Sequence, residues 1–119
     1  LVCGHLVFGL PDETQEMMLH GVEETIRLNV DSIKIHPLYV VENTLLTNIY
    51  KKGKFEPITE ELYLDTLVKS IKMIPDEISL SRVTAGISDS SLLSPQWCND
   101  KHRQMYNVKQ ALLKEGLIY

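Results

Sequence analysis

The chain has 119 residues, which is enough for one compact domain and too few for two independent hydrophobic cores. Apolar residues make up 44% and charged residues 24%, as in ordinary globular proteins, and no run of about 18 apolar residues suggests a membrane span. The net charge of −4 comes from acids and bases that are interspersed, without the basic stripe that is typical of a general nucleic-acid surface.

The sequence pattern of the first residues predicts a buried strand that begins at residue 1. An apolar run over residues 1–9 stops at Gly9-Leu10-Pro11, with no starting Met and no polar lead-in. We therefore expect a truncated piece of a longer protein. Cys3 and Cys98 lie far apart and no secretion signal is visible, which predicts a cytoplasmic protein with reduced thiols.

A strand–helix–strand unit follows from the first third of the chain. Asp12 is predicted to cap the helix after the first strand, with Gln15 completing a capping box and Asn29 marking the stop. Residues 31–38 then form a second strand, which Pro37 ends. This spacing is typical of a right-handed βαβ crossover between parallel strands.

The rest of the chain continues to alternate helical and extended segments. Thr59 is predicted to cap a helix with an apolar stripe, and Pro75 ends it. The other predicted elements are a short helix over 45–50, a strand over 78–83, a serine-rich loop over 88–95 and a helix over about 100–115. The series predicts an α/β protein with a parallel sheet covered by helices. Because three strands leave two open sheet edges, we also expect the chain to self-associate.

Strand alternation separates a polar face of the sheet from an apolar one. The apolar face carries Leu6, Phe8, Ile33 and Ile35. The polar face carries Cys3, His5, Lys34 and His36. In barrel-like α/β proteins, ligands bind at the carboxyl ends of the strands, where His5, Gly9 and His36 are expected to lie.

A series of motifs gives the chain a resemblance to a known family. The segment Cys3 to Thr14 resembles the fifth-strand motif of radical S-adenosylmethionine (SAM) enzymes, which commonly ends Gly-Leu-Pro-Gly-Glu-Thr. The series continues through Ile33-Lys34-Ile35-His36-Pro37-Leu38, Thr44-Leu45, Tyr50-Lys51-Lys52-Gly53, Arg82-Val83-Thr84 and Leu93-Ser94-Pro95-Gln96-Trp97. Together the motifs look like the end of the core barrel and the C-terminal extension of a bacterial radical SAM group. That group is akin to the elongator acetyltransferase and coproporphyrinogen dehydrogenase branches.

The resemblance implies a fold, a division of the chain and an activity. The fold would be the C-terminal part of a partial TIM-like barrel of parallel strands, with residues 1–40 as the last strands of the radical SAM core and residues 41–119 as the C-terminal extension. The parent would be an Fe–S oxidoreductase in which three cysteines, spaced Cys-x3-Cys-x2-Cys, hold a [4Fe–4S] cluster, and SAM is reductively cleaved to a 5′-deoxyadenosyl radical. This chain lacks the cysteine triad. We therefore expect the fragment alone to bind neither cofactor and to be inactive.

The resemblance also implies which residues surround SAM. On the family's pattern, the cofactor-binding positions of this chain are His5, Val7, Gly9, Asp12, His36 and Leu38. Within the family's Gly-x-Ile-x-Gly-x-x-Glu motif, Val7 takes the hydrophobic position that packs against the adenine, Gly9 the second glycine and Asp12 the acid. His5 replaces the first glycine, which is a departure from the family. After the Arg-x-Thr segment the family has Gly-Asp-Ala-Pro, whereas residues 85–88 of this chain are Ala-Gly-Ile-Ser.

Other functions stay open on the sequence. Arg82 is compatible with an ion pair to an interior acid or with binding of an anionic substrate group. His5 and His36 fit interior histidines held by hydrogen bonds, or metal ligands of a barrel hydrolase. Residues 39–119 carry few chemical groups, which is compatible with a non-catalytic interaction module. The run Lys51-Lys52-Gly53-Lys54 is too short to indicate a nucleic-acid patch. The partner that we expect is a small-molecule or macromolecular substrate whose identity the sequence does not reveal, and we expect no membrane partner.

Overall fold

The computed structural model of the protein describes residues 1–86 and 91–117 of the chain. The strands are β1 (Cys3–Phe8), β2 (Ser32–Pro37), β3 (Val40–Val41), β4 (Ser79–Arg82) and β5 (Leu92–Ser94). The helices are α1 (Gln15–Arg27), α2 (Leu45–Lys51), α3 (Glu60–Met73) and α4 (Lys101–Lys114), and a 3₁₀ turn covers Gln96–Asn99. The predicted serine-rich loop over residues 88–95 and the divergent segment 85–88 lie partly outside the described residues.

The main sheet has three parallel strands in the order β1-β2-β4. This confirms the predicted α/β class and the parallel sheet, since β1, α1 and β2 form the expected strand–helix–strand unit. A second, two-stranded sheet pairs β3 with β5 in antiparallel fashion, and the sequence did not predict it. Its strands have two and three residues, too short to show any periodicity.

One face of the main sheet is covered by α1 and α3 and forms the hydrophobic core. The buried sheet residues are Phe8, Ile33 and Ile35, together with Val83 just after β4. The helices supply Met18, Val22, Tyr63 and Leu67, and α4 adds Val108 and Leu112. The predicted alternation is confirmed, because Lys34 and His36 are only half-buried whereas the isoleucines that flank them are completely buried.

The start of α1 corrects the sequence prediction. Thr14, not Asp12, is the N-cap, and its hydroxyl accepts a hydrogen bond from the Met17 amide at 3.2 Å. Asp12 has a φ of +62° in the preceding turn, so it lies in a left-handed conformation two residues before the cap. Asp tolerates this conformation better than most residues with a side chain, which explains why it is accepted at this position of the turn.

The ends of α1 and α3 follow local rules that the sequence displays. Asn29 has a φ of +56° just beyond the last turn of α1, as expected of a residue that stops a helix. The Thr59 hydroxyl accepts from the Leu62 amide at 3.2 Å and caps α3, whose first turn carries Glu60 and Glu61. The two helices therefore begin and end where their apolar stripes can cover the sheet.

Candidate functional site: the open face of the sheet

Three basic residues form a row across the face of the sheet that the helices leave open. His5 is in register with Lys34, and Lys34 is in register with Arg82. Neighbouring strands lie about 4.8 Å apart, so the three side chains start close together. None of them forms an ion pair with an acid among residues 1–86 and 91–117. Adjacent like charges destabilise a sheet unless an anion lies between them, so this row can hold a carboxylate or a phosphate.

His36 lies one step closer to the carboxyl end of the sheet, in register with Val7. Burial lowers the pKa of His36 below its ordinary value of 6.5, and the electrostatic influence of the nearby His5 and Arg82 lowers it further, against an opposing effect of the Pro37 backbone. The imidazole is therefore neutral at pH 7. Its Nδ1 atom is buried and has no hydrogen-bond partner within the described chain. A neutral ring with one free nitrogen is suited to a hydrogen bond with a polar ligand.

Removing the positive charge of Arg82 is expected to raise the pKa of His36 toward 6.5. Arg82→Gln takes away one of the charges that disfavour the imidazolium, whereas Arg27→Gln on α1, where Arg27 pairs with Glu24 at 2.8 Å, is the matched control. An NMR titration of the His36 ring reports the pKa directly. Equal His36 titration curves in Arg82→Gln and in the unaltered protein would contradict the proposed row of charges.

The lowered pKa of His36 also sets the sign of a pH effect on stability. The unfolded chain binds this proton more readily than the folded chain, so acidification through pH 6.5 favours unfolding. Well above pH 6.5 the group is neutral in both states and contributes no pH dependence.

The turn after β1 is held by Glu13, a residue that the sequence analysis missed. The amides of Gly9 and Leu10 both donate to Oε1 of Glu13, at 3.0 and 3.1 Å. Asp12, to which the motif comparison assigned the acid position, is exposed and makes no such bond. The Gly-Leu-Pro-Gly-Glu-Thr resemblance puts a glutamate at position 13, so the sequence offered both Asp12 and Glu13, and only the conformation of the turn decides between them.

A cavity of about 260 Å³ lies beside this turn, at the carboxyl end of β1. Its walls include Gly9, Leu10, Glu13, Phe55, Ile58 and Leu62. The sheet brings Val7 and His36 to the same end, and the Leu38 amide extends the pairing by donating to the Phe8 carbonyl at 2.9 Å. Of the predicted cofactor positions, Gly9 and Asp12 line this cavity, whereas His5, Val7, His36 and Leu38 lie outside its walls.

The chain's own residues do not supply the ligands of an iron–sulfur cluster. Such a cluster is held by several thiolates, and the two cysteines of this chain are Cys3, exposed on β1, and Cys98, buried in the 3₁₀ turn. Burial, helped by the charge of Glu60, raises the pKa of Cys98 to about 12, which keeps this thiol protonated. Within residues 1–86 and 91–117, no group of three or more His, Cys, Asp and Glu side chains is placed to hold a metal ion, so His5 and His36 have no third ligand there. In the same part of the chain, no helix has the length and apolar character needed to cross a membrane.

Comparisons with known proteins agree on the family. Protein YhcC of Escherichia coli (strain K12) is 32% identical over 116 residues, which are 98% of this chain and 38% of that protein. A tRNA uridine(34) acetyltransferase of Methanocaldococcus jannaschii is 29% identical over 86 residues, 70% of this chain and 16% of that protein. The solved structure of the archaeal Methanocaldococcus infernus Elp3 with an N-terminal deletion superposes with a TM-score of 0.83 at 25% identity, covering 97% of this chain and 27% of that one.

The chain thus spans little more than a third of the length of Protein YhcC. The family model described as the Radical_SAM C-terminal domain matches residues 30–114, which is most of the chain. The chain therefore belongs to the Radical_SAM C-terminal domain family of the radical SAM superfamily, as the motif series predicted.

Proposed function

We propose that the protein carrying this chain is an enzyme that reductively cleaves SAM to a 5′-deoxyadenosyl radical with the help of a [4Fe–4S] cluster. Residues 1–40 would be the last strands of its core barrel and residues 41–119 its C-terminal extension. Because this chain covers 38% of Protein YhcC, the activity is a property of the longer protein, and the cluster's ligands are expected outside this chain.

The observation that carries this proposal is the one-sided covering of the parallel sheet. Parallel sheets are normally buried on both faces, yet here the helices cover one face and the other presents His5, Lys34 and Arg82. A polar face with a ligand site at the carboxyl ends of its strands is what the interior of an α/β barrel requires. The open face is therefore suited to line a barrel that further strands complete at the edge of β1.

The surroundings of each residue on the open face indicate its role in ligand binding. Val7 provides an uncharged surface near the carboxyl end of β1, which suits a flat base such as adenine. His36, neutral and with Nδ1 free, can hydrogen-bond a polar edge of the ligand. Arg82 and Lys34 can hold a carboxylate of the ligand or of the substrate, as expected for an anion between unpaired cations.

The decisive experiment uses the full-length protein. After anaerobic reconstitution with iron and sulfide, SAM and a strong reductant are added and 5′-deoxyadenosine is measured by chromatography. We expect the nucleoside to form. His36→Ala is expected to lower its rate about tenfold, the equivalent of one lost hydrogen bond of about 1.4 kcal/mol.

His20→Ala is the matched control, because His20 is exposed on α1, where Glu24 lies 3.9 Å from its ring. The 119-residue chain alone is expected to form no nucleoside. A protein with an intact cluster that never releases 5′-deoxyadenosine would refute the proposal. Equal losses in both histidine variants would remove His36 from the site.

A further inference from the structure

The positive charge of the chain is concentrated on α4. Four of the 12 Lys and Arg residues lie on this helix, and none of the 16 Asp and Glu residues does. The other 105 residues therefore hold eight cations against all sixteen acids. In linear sequence the four cations are separated by up to five other residues, so no basic run is visible. The helical turn places three of them, Arg103, Lys109 and Lys114, away from the stripe of α4 that carries Val108 and Leu112.

Two of these cations flank an exposed tyrosine. Val108 and Leu112 turn one side of α4 toward the core. Tyr106 is on the opposite side and is 63% exposed. Its neighbours three and four positions away along the helix are, on either side, His102, Arg103, Lys109 and Gln110. All four are exposed.

The charges on α4 are not neutralised by the fold. Asp100 precedes the helix, but its carboxylate caps the Arg103 amide at 3.1 Å. Glu115 follows the helix and pairs with Lys72 of α3 at 3.2 Å. Throughout the described residues, none of the four cations of α4 takes part in an ion pair. A helix of 14 residues is about 21 Å long, so these cations offer an extended track of positive charge.

We propose that the exposed face of α4 binds the backbone of a single-stranded or looped nucleic acid, with a base stacked on Tyr106. Cations that follow a backbone, with an aromatic ring among them, are the combination used for single strands. A membrane surface fits less well, because an interfacial helix inserts an apolar face and the apolar face of α4 is already in the core. This inference is independent of the proposed enzymatic activity.

The test measures the binding of a fluorescein-labelled 15-nucleotide oligouridine RNA to the purified protein by fluorescence anisotropy over a range of salt concentrations. We expect the protein to bind the RNA, and the logarithm of the association constant to fall linearly with the logarithm of the salt concentration. Arg103→Glu/Lys109→Glu is expected to weaken binding about tenfold or more and to make the slope shallower by about 1.4, roughly 0.7 for each lost phosphate contact. Lys51→Glu/Lys52→Glu makes the same change of charge at the exposed end of α2 and is expected to stay within about twofold of the unaltered protein.

Tyr106 provides a second readout that leaves the net charge unchanged. Tyr106→Ala is expected to weaken binding about fivefold or more with the same salt slope, whereas Tyr106→Phe keeps the ring and the affinity. This pair keeps the test decisive if the charge reversal impairs folding, which circular dichroism detects. The proposal is overturned if the unaltered protein does not bind the RNA, or if both charge reversals weaken binding equally. Binding to phosphatidylserine vesicles or polyglutamate without binding to RNA would overturn it as well.

Discussion

Gly9→Ala is expected to lower the free energy of unfolding by about 2–5 kcal/mol. Gly9 has a φ of +99°, a conformation that costs an L-residue roughly 1–2 kcal/mol. A Cβ at this position would also lie 2.8 Å from Cβ and 2.9 Å from Cγ2 of Ile58, a buried residue next to α3. Forcing an extra carbon into a packed contact adds about 1–3 kcal/mol. Urea denaturation of the two proteins measures the difference.

Gly53→Ala is the control that separates backbone strain from packing. Gly53 also has a positive φ, +69°, but a Cβ there would meet no atom within 4 Å. Its replacement is expected to cost about 1 kcal/mol, from the backbone alone. If Gly9→Ala and Gly53→Ala reduce the free energy of unfolding equally, the contact with Ile58 does not contribute to the destabilisation.

The turn at Gly9 illustrates which parts of the site the sequence could predict. The strand-to-helix turn was predictable, because an apolar run ends at Gly9 and a helical pattern follows. Which acid holds the turn was not, because this depends on the direction of a side chain. Asp12 fits the family's spacing, yet its left-handed backbone leaves it exposed, and the carboxylate of Glu13 reaches both amides instead.

The predictable parts of the fold are those governed by local rules. Strand alternation correctly placed Ile33 and Ile35 in the core and Lys34 on the open face, since side chains alternate strictly along a strand. The cap at Thr59 depends on one hydroxyl and the amide three residues later, and it too was predicted. Such contacts lie within a few residues of each other.

The parts that escaped prediction depend on contacts between distant segments. The pairing of β3 with β5 joins residues about 50 positions apart, and neither strand is long enough to show a pattern. The row of His5, Lys34 and Arg82 requires a register across three strands, with an irregularity between Ile33 and Lys34 that turns Arg82 to the open face. Strand parity along β4 alone did not fix the direction of Arg82.

Tyr63→Phe is expected to destabilise the protein by about 1–3 kcal/mol, although it removes a single oxygen. The buried Tyr63 hydroxyl donates to the Val83 carbonyl at 2.6 Å and lies 3.4 Å from the Ile35 carbonyl, so it joins α3 to β2 and to the residue just after β4. Without it, a buried carbonyl loses its partner and keeps its desolvation cost. The ring contacts with Phe8 and Trp97 are retained in the variant, so the hydrogen bond is isolated.

The pH dependence of this effect gives a second check. Burial, and to a lesser degree Cys98, raises the pKa of Tyr63 well above its ordinary value of 10.0. As the pH rises, the unfolded chain therefore loses the Tyr63 proton before the folded chain does. The contribution of Tyr63 to the free energy of unfolding is complete below pH 10 and is lost as the pH rises above it. Urea denaturation is expected to show a gap between Tyr63→Phe and the unaltered protein that is constant up to pH 10 and narrows beyond it. Tyr106→Phe, which changes an exposed ring on α4, is expected to stay within about 0.5 kcal/mol throughout. A gap that does not change above pH 10 would mean that the Tyr63 hydroxyl is not held in the buried hydrogen bond.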